Sequence, residues 1–349
     1  MGSVSMGDFD VRIDSLGKTV RCSGGQAVLD AFLRENVWLP HSCTQGTCGT
    51  CKLKVLSGSV EHNASPEFTL TAEERAAGLA LGCQATPTAD LVVEPVSEVD
   101  LDSRVVRHPL KDFSGTVVKL DDIARDTRRL VVELDEPMAF NAGQYAEITV
   151  PGTEISRQYS MANAPSESRR LEFHVRRTPG GLASDGWVFA TLRVGEQVQL
   201  SGPLGQFGMN VPVEEPAILI AGGTGLAPLK SIAQHALTNG LAPRLHLYHG
   251  GRTQQDLYDV EFFRRLEAQF EHFTYRPCLS EEDWDGGVGL VTDVVLADFS
   301  TCKGMSAYLC GPPAMVGAGV KALKRRRMAP RLIFREEFLD SSSALADVS

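Results

Sequence analysis

Cys43-Thr44-Gln45-Gly46-Thr47-Cys48-Gly49-Thr50-Cys51, followed much later by Cys83, constrains this chain more than any other stretch. The spacing C-x4-C-x2-C with a distant fourth cysteine is one by which four thiolates hold a 2Fe-2S cluster. The sulfurs must converge on two irons within a few ångströms, so one tight loop has to supply three of them and a separate segment the fourth. Gly46 and Gly49 suit such a loop, because a residue without a Cβ takes positive φ and lets backbone N–H groups approach the cluster sulfurs. Two plainer readings compete: structural thiols, or a zinc site on Cys48 and Cys51. Zinc would ask for a second C-x2-C knuckle or added histidines, and Cys83 stands in Gly82-Cys83-Gln84 with no cysteine at the matching offset. A cluster moves one electron at a time, so the rest of the chain should contain a source of electrons.

The chain has 349 residues, enough for two or three domains, and its 43% hydrophobic and 22% charged residues suit an ordinary globular protein with an ample core. No apolar run approaches the roughly 18 residues that span a bilayer, and the N-terminus lacks a charged stretch followed by an apolar one. The expectation is a cytoplasmic protein with no membrane association. Of the eight cysteines, Cys22, Cys278, Cys302 and Cys310 are left over and are expected as free thiols in a reducing compartment. A net charge of -10 argues against nucleic-acid binding. Residues 1–97 hold eleven acidic and seven basic residues, a balance of -4, which fits either an ordinary solvated surface or an acidic docking face for a basic patch on a partner.

Along the chain, residues 8–13 and 18–22 alternate as a hairpin around Gly17. Val28, Leu29, Phe32 and Leu33 fall at helical spacing within 27–36. Residues 52–56 read as a strand, Thr71-Ala72-Glu73-Glu74 as a capped helix start, and 91–96 as a closing strand. The polar stretch 98–108 reads as a linker. From Phe113 the texture changes to short β-branched runs at 115–120, 129–134, 146–150, 171–176 and 197–200, punctuated by turn residues as in an antiparallel barrel. A third texture begins at the wholly apolar run Ala217-Ile218-Leu219-Ile220-Ala221, which suits a buried parallel strand. Strands at 245–248 and 307–310, and helices at 259–270 and from Pro313 through Leu323, complete a strand–helix alternation expected of a doubly wound α/β sheet. Lys324-Arg325-Arg326-Arg327 reads as basic residues closing that last helix against its dipole.

Arg157-Gln158-Tyr159-Ser160 combines a guanidinium, an aromatic ring and a hydroxyl, which is what a flavin needs for its phosphate, ring face and ring edge. His174-Val175-Arg176-Arg177 adds a second cationic strand, and Gly180-Gly181-Leu182-Ala183-Ser184 offers backbone N–H groups at a helix start to a pyrophosphate. Gly222-Gly223-Thr224-Gly225 lies between the apolar strand and a helix, where a dinucleotide pyrophosphate binds, although it departs from G-x-G-x-x-G.

The combination of Arg157-Gln-Tyr-Ser160, Gly222-Gly-Thr-Gly-Leu-Ala-Pro228 and Cys310-Gly-Pro-Pro313 behind an N-terminal plant-type ferredoxin pattern resembles the ferredoxin-NAD(P)H reductase superfamily. More narrowly, it resembles single-chain reductase components of bacterial multicomponent oxygenases: phenol hydroxylase reductases, and the reductase partners of haem-thiolate aryl-O-demethylases. For the latter, Gln45-Gly-Thr-Cys-Gly-Thr-Cys-Lys52 and Lys321-Ala-Leu-Lys-Arg-Arg-Arg-Met328 are especially similar. The resemblance runs from about Asp8 to Phe338. It implies a multidomain α+β and α/β fold: a β-grasp plant-type ferredoxin over 1–97, the linker, an antiparallel β-barrel flavin domain over 109–212, and a doubly wound parallel-sheet nucleotide domain with a C-terminal tail over 213–349.

By the same resemblance Cys43, Cys48, Cys51 and Cys83 hold the cluster. Arg157, Gln158, Tyr159 and Ser160 hold the flavin ring and phosphate, and His174, Val175, Arg176, Gly181, Ala183 and Ser184 lie along the FAD tail. Gly223, Thr224 and Gly225 take the NADH pyrophosphate, Cys310, Gly311 and Pro312 border the nicotinamide, and Tyr248, His249, Gly250 and Arg252 lie near the adenosine ribose. Glu337-Phe338 covers the flavin, and Ser160, Cys310 and Glu337 stand at the reacting centre. NADH is favoured over NADPH because the segment after Tyr248 carries Arg252 together with Asp256 and Asp259, a poor nest for a 2′-phosphate. Electrons would pass from NADH through FAD and the 2Fe-2S cluster to a separate oxygenase, haem-thiolate, di-iron or Rieske, with the reductase itself a monomer. The competing reading is a redox-sensing carrier in which the nucleotide domain only binds.

Overall fold

The computed structural model describes residues 7–100 and 104–338. Part of the expected linker and the tail beyond Phe338 therefore lie outside the described residues. The chain divides into two compact units, Met1–Lys111 with Pro203–Gln206, and Asp112–Gly202 with Phe207–Ser349. The expected flavin barrel and nucleotide sheet both lie in the second unit. No helix among the described residues is long and apolar enough to cross a membrane.

In the first unit, β1 (Asp8–Ile13) and β2 (Lys18–Ser23) form the expected hairpin, followed by α1 (Val28–Arg34), β3 (Lys52–Ser57), β4 (Val60–Glu61), α2 (Ala72–Ala76), β5 (Leu79–Leu81), β6 (Thr86–Pro87) and β7 (Leu91–Pro95). The main sheet runs β2-β1-β7-β3-β5, with β4 and β6 paired separately. β1 and β7 are parallel, while β3 is antiparallel to both its neighbours. α1 buries Val28, Leu29, Phe32 and Leu33, the positions its 3.6-residue period predicts. Its N-cap is Ala27, which has no side-chain acceptor. The exposed N–H groups are met by other backbone instead: Val28 donates to Ala85 O and Leu29 to Gly82 O, at 3.0 and 2.8 Å. α2 carries the expected capping box, Thr71 and Glu74 each accepting from the other's backbone.

The second unit begins with a six-stranded antiparallel sheet: β8 (Lys111–Ala124), β9 (Thr127–Leu134), β10 (Tyr145–Thr149), β11 (Ser156–Ser160), β12 (Arg170–Arg176) and β13 (Gln197–Leu204), in the order β11-β10-β13-β8-β9-β12. A bridge from Met161 to Phe173 joins the two ends. Its interior is filled by alternate residues such as Leu130, Val132, Ile148, Phe173 and Val175.

The nucleotide sheet comprises β14 (Ala217–Gly222), α3 (Leu226–Asn239), β15 (Leu245–Gly251), α4 (Val260–Gln269), β16 (Phe273–Leu279), β17 (Gly287–Val288), α5 (Val291–Asp298), β18 (Ser306–Gly311), α6 (Pro313–Arg325) and β19 (Ile333–Glu337), ordered β17-β16-β15-β14-β18-β19 with every pair parallel. All six residues of β14 are buried. Ala217, Leu219 and Ala221 face the core under α3, and Ile218 and Ile220 face the one under α5 and α6, which is why the strand reads as apolar without alternation. The chain order reverses between β14 and β18, and the loops leaving their carboxyl ends meet there, at the crevice where open α/β sheets bind ligands.

Candidate functional site

The structure brings all four expected cysteines together in pairs. Cys43 Sγ lies 3.2 Å from Cys48 Sγ, and Cys51 Sγ lies 3.2 Å from Cys83 Sγ. These separations exceed the roughly 2.05 Å of a disulfide, so each pair is two adjacent free thiols. Gly46 and Gly49 take φ of +79° and +73°, as the loop requires. The fourth cysteine is held by backbone. Gly82 N–H donates to Cys51 O at 2.9 Å, Gly82 O and Ala85 O cap α1, and Gln84 Nε2 donates to Thr44 O at 2.7 Å. Each pair shares a proton: the hydrogen bond from Cys43 and then Thr50 and the backbone push Cys48 down to about 4, while Cys43 is raised; Cys51 is likewise lowered by Cys83, which is raised. A donor set of two adjacent thiol pairs, one thiol of each lowered by its partner, fits the four thiolates of an iron–sulfur cluster.

His41, which the sequence did not single out, is buried two residues before Cys43. Its Nδ1 lies 2.9 Å from Leu39 O and its Nε2 accepts from Gly205 N–H at 3.1 Å, so the partners assign the proton to Nδ1. It fixes the approach to the cysteine loop.

In the second unit, Arg157 to Ser160 lie on β11 against Tyr145 to Ile148 of β10. The Arg157 guanidinium donates to Ser156 O and, among the described residues, has no carboxylate partner. Arg176, at the exposed end of β12, reaches the nucleotide turn: Nη1 lies 3.4 Å from where a Cβ on Gly223 would stand. Two guanidiniums with no carboxylate partner among the described residues suit two phosphate-bearing ligands. Gly223, Thr224 and Gly225 form a short 3-10 turn leading into α3, with Gly223 at φ +55°. A Cβ on Gly225 would meet the Cys310 carbonyl oxygen at 2.2 Å, so only glycine lets this turn lie against the Cys310-Gly311-Pro312 loop.

Three family models match in the order the geometry suggests: a 2Fe-2S iron-sulfur cluster binding domain over 11–88, an oxidoreductase FAD-binding domain over 114–209, and an oxidoreductase NAD-binding domain over 219–321. The chain is 52% identical to the reductase subunit of an aromatic O-demethylase of Amycolatopsis sp., over 93% of this chain and 98% of the relative. It is 38% identical to the reductase component of a phenol 2-monooxygenase of Pseudomonas sp., over 98% and 97%. The crystal structure of Amycolatopsis cytochrome P450 reductase GcoB superimposes with a TM-score of 0.88 at 50% identity, over 95% of this chain and 98% of that one. The chain belongs to the flavin iron–sulfur reductase components of oxygenase systems. It is an oxidoreductase with 2Fe-2S, FAD and NAD domains.

Within the reductase, several residues expected at the cofactors make internal contacts. Val175 points into the barrel core, because strand side chains alternate and His174 and Arg176 take the other face. His174 is buried and engaged by Glu172 and Tyr258, so its ring is not presented to a ligand. Ala183 is a barrel-core residue, and Ser184 Oγ accepts from Thr178 N–H, closing the Gly181 turn from inside. Tyr248 and His249 are internal: Tyr248 donates to Asp298 at 2.9 Å, and His249 packs between Tyr258 and Tyr275, where burial pushes it down to about 4. Of that group Gly250 lies against Val291 and Arg252 remains exposed beside Asp256. Phe338 donates its N–H to Gly311 O and packs on the core under α3.

At the expected reacting centre, two neighbouring glutamates of β19 differ in burial. Glu337 is exposed. Glu336 pairs in register with Cys310, and its Oε2 is buried with no hydrogen-bond partner among the described residues, although the rest of the residue is partly exposed. A one-residue step along β19 exchanges the faces. Burial pushes the Glu336 carboxyl up to about 8 and holds the Cys310 thiol well above its usual range. At neutral pH this corner of the crevice therefore carries two uncharged, proton-bearing groups.

An acid whose folded value is raised binds its proton more tightly when folded, so stability is lost as pH climbs from the unfolded value of 4.5 towards 8 and changes no further above it. Denaturant titrations of Glu336→Gln and the parent protein at several pH values should show the variant gaining relative stability across that window. A pH-independent difference would mean that Glu336 is not held neutral.

Proposed function

We propose that this reductase takes electrons from NADH and delivers them, through FAD and a 2Fe-2S cluster, to a separate haem-thiolate (cytochrome P450) monooxygenase acting on an aromatic compound. The observation that carries the reading is the four-thiol centre on the same chain as a glycine turn packed on Cys310 at the sheet's switch point. When bound, the cofactors supply hydride acceptance at the flavin and one-electron carriage at the cluster. The chain's own residues bind and orient. Cys43 with Cys48, and Cys51 with Cys83, supply the four thiolates. Arg157 and Arg176 neutralise phosphate, Tyr159 offers an apolar ring and Ser160 a hydroxyl, and the Gly223–Gly225 turn gives its N–H groups to the nucleotide pyrophosphate. Cys310, Gly311 and Pro312 border the nicotinamide, with the Glu336 carboxyl behind them.

Asp256 supports NADH as the donor. Its carboxylate accepts from the backbone N–H groups of Arg252 and Thr253, each at 3.1 Å, and stands where a 2′-phosphate would need positive charge. The similarity to the aromatic O-demethylase reductase favours a haem-thiolate partner, and that to the phenol 2-monooxygenase reductase keeps a di-iron partner as the second reading. The oxygenase would dock near the acidic ferredoxin unit, and the reductase would act as a monomer.

Three measurements test this. Cys48→Ser should abolish electron transfer to cytochrome c or the oxygenase while NADH–ferricyanide activity persists; loss of both in a folded, flavin-replete variant would overturn the modular route. Turnover with the oxygenase should fall severalfold between roughly 0.05 and 0.5 M salt, as screening shortens the reach of the acidic face, and salt-independent turnover would remove that face as the dock. NADPH should be used with kcat/KM at least about tenfold below that of NADH, a loss of order 1.4 kcal/mol or more, because a 2′-phosphate would have to compete with Asp256 for Arg125 and Arg252, which already pair with it; equal use would refute the preference.

A further inference from the structure

Between the flavin barrel and the nucleotide sheet, inside the second unit, lies a buried cluster of charges that the electron route does not use. Lys230, on the second turn of α3, donates to Glu172 of β12 at 2.8 Å and to Asp259 at 2.7 Å. Arg129 of β9 bonds the same two carboxylates. Glu172, His174 and Asp259 place their ligand atoms within 4.8 Å of one another, a spacing a divalent metal would accept, but the Lys230 ammonium already stands between the carboxylates. Asp259 occupies the N-cap of α4 at φ +56° and makes no side-chain capping bond there. An aspartate at that position ordinarily accepts from its own helix; this one turns to the cluster instead.

From Glu172 a chain of contacts leads to the nucleotide turn. Glu172 Oε1 lies 2.8 Å from His174 Nε2, His174 Nδ1 lies 3.2 Å from the Tyr258 hydroxyl, and that hydroxyl lies 3.2 Å from Gly223 O. A carboxylate and a carbonyl at the two ends can only accept. Burial alone would raise Glu172, but the hydrogen bond from His174 and the charge of Lys230 hold it well below the usual carboxylate range. Burial holds His174 below its usual range, outweighing Glu172, so the ring is neutral. A neutral imidazole and a phenol bring two protons to three contacts. The imidazole proton goes to Glu172 across the shorter gap, and the phenol proton is left with two acceptors at equal distance, one on the barrel and one on the nucleotide turn.

We propose that Tyr258 is a positioning residue for the nucleotide: its hydroxyl, donated either to His174 or to Gly223 O, sets where the glycine turn stands against the flavin barrel and so tunes NADH affinity. The inference rests on the reading of Gly223–Gly225 as the pyrophosphate turn. It is tested on the flavin-replete protein by calorimetric titration with NAD⁺ and by rapid-mixing reduction with NADH. Tyr258→Phe removes one oxygen and should raise the dissociation constant about fivefold, the effect of losing one neutral hydrogen bond. The limiting rate of flavin reduction and the flavin content should stay unchanged, and the melting temperature should fall by no more than about the few degrees that one lost hydrogen bond costs.

His174→Phe keeps a ring against Tyr258, now 5.0 Å away edge-on, and removes the competing acceptor. It should bind NAD⁺ as tightly as the parent or more tightly. A Tyr258→Phe protein that binds like the parent would overturn the proposal, as would equal weakening by both variants or loss of flavin from Tyr258→Phe, either of which marks a merely structural contact. A parent protein that fails to bind NAD⁺ would instead overturn the reading of the turn itself.

Discussion

The close approach of the Gly225 turn to the Cys310 carbonyl is the contact on which the catalytic unit depends. A Cβ would stand 2.2 Å from that oxygen, and one on Gly311 would stand 2.8 Å from Gly222 O. No side chain can be accommodated by small shifts there, because the obstructing atoms are backbone on two buried parallel strands. The consequence is a crevice whose two walls are fixed to each other: β14 and β18 are hydrogen-bonded from Ala217–Ser306 to Ala221–Cys310, and their loops leave side by side. On the proposed reading, a nucleotide held by the first loop would have its reactive end delivered to the second. Hydride transfer needs reacting atoms at near-contact, about 3 to 3.5 Å, and a rigid crevice supplies that without reorganisation.

The buried charge cluster complements this rigidity in a different way. Apolar packing between barrel and sheet would contribute free energy by area but little direction, since it is tolerant of sliding. Arg129, Lys230, Glu172 and Asp259 are largely removed from water and must meet with good geometry or leave an uncompensated charge, which costs about 3 to 5 kcal/mol. Such a cluster adds little net stability over an apolar replacement, yet it permits few relative placements of the elements that carry it. The exposed pairs on the ferredoxin unit, Arg21 with Asp10 for example, have no such leverage because solvent screens them.

What could be read from the sequence follows the same physics. The cysteine loop was legible because the spacing must satisfy a covalent ligand set, and β14 because burial on both faces leaves no polar residue. β16 was not, since Arg276 and Pro277 interrupt Phe273-Thr-Tyr-Arg-Pro-Cys-Leu, and α5 offers neither a polar N-cap nor a clear stripe. Motifs located strands but did not fix which face each residue takes. His174 and Val175, or Glu336 and Glu337, differ only by one step of a period-two pattern, and nothing in a tetrapeptide says which member faces the crevice. Tyr258 and His41 were silent because each works through one or two long-range hydrogen bonds, which leave no local periodicity.

The grouping of the flavin barrel and the nucleotide sheet in one compact unit has a chemical reason. The cluster's four ligands, the glycine loop and the α1 N-terminus that fixes Gly82 and Ala85 all belong to one unit, so that centre is complete without help. Hydride transfer has no such self-sufficiency, for the FAD-binding and NAD-binding domains are built on different sheets and their geometry must be held to fractions of an ångström. The barrel and the parallel sheet are therefore locked by buried charges and by Arg125, which pairs with Asp256 across the same boundary at 3.1 Å. The two-electron step demands one rigid body, whereas a one-electron centre needs only its own ligands held in place, and the chain's compactness is distributed accordingly.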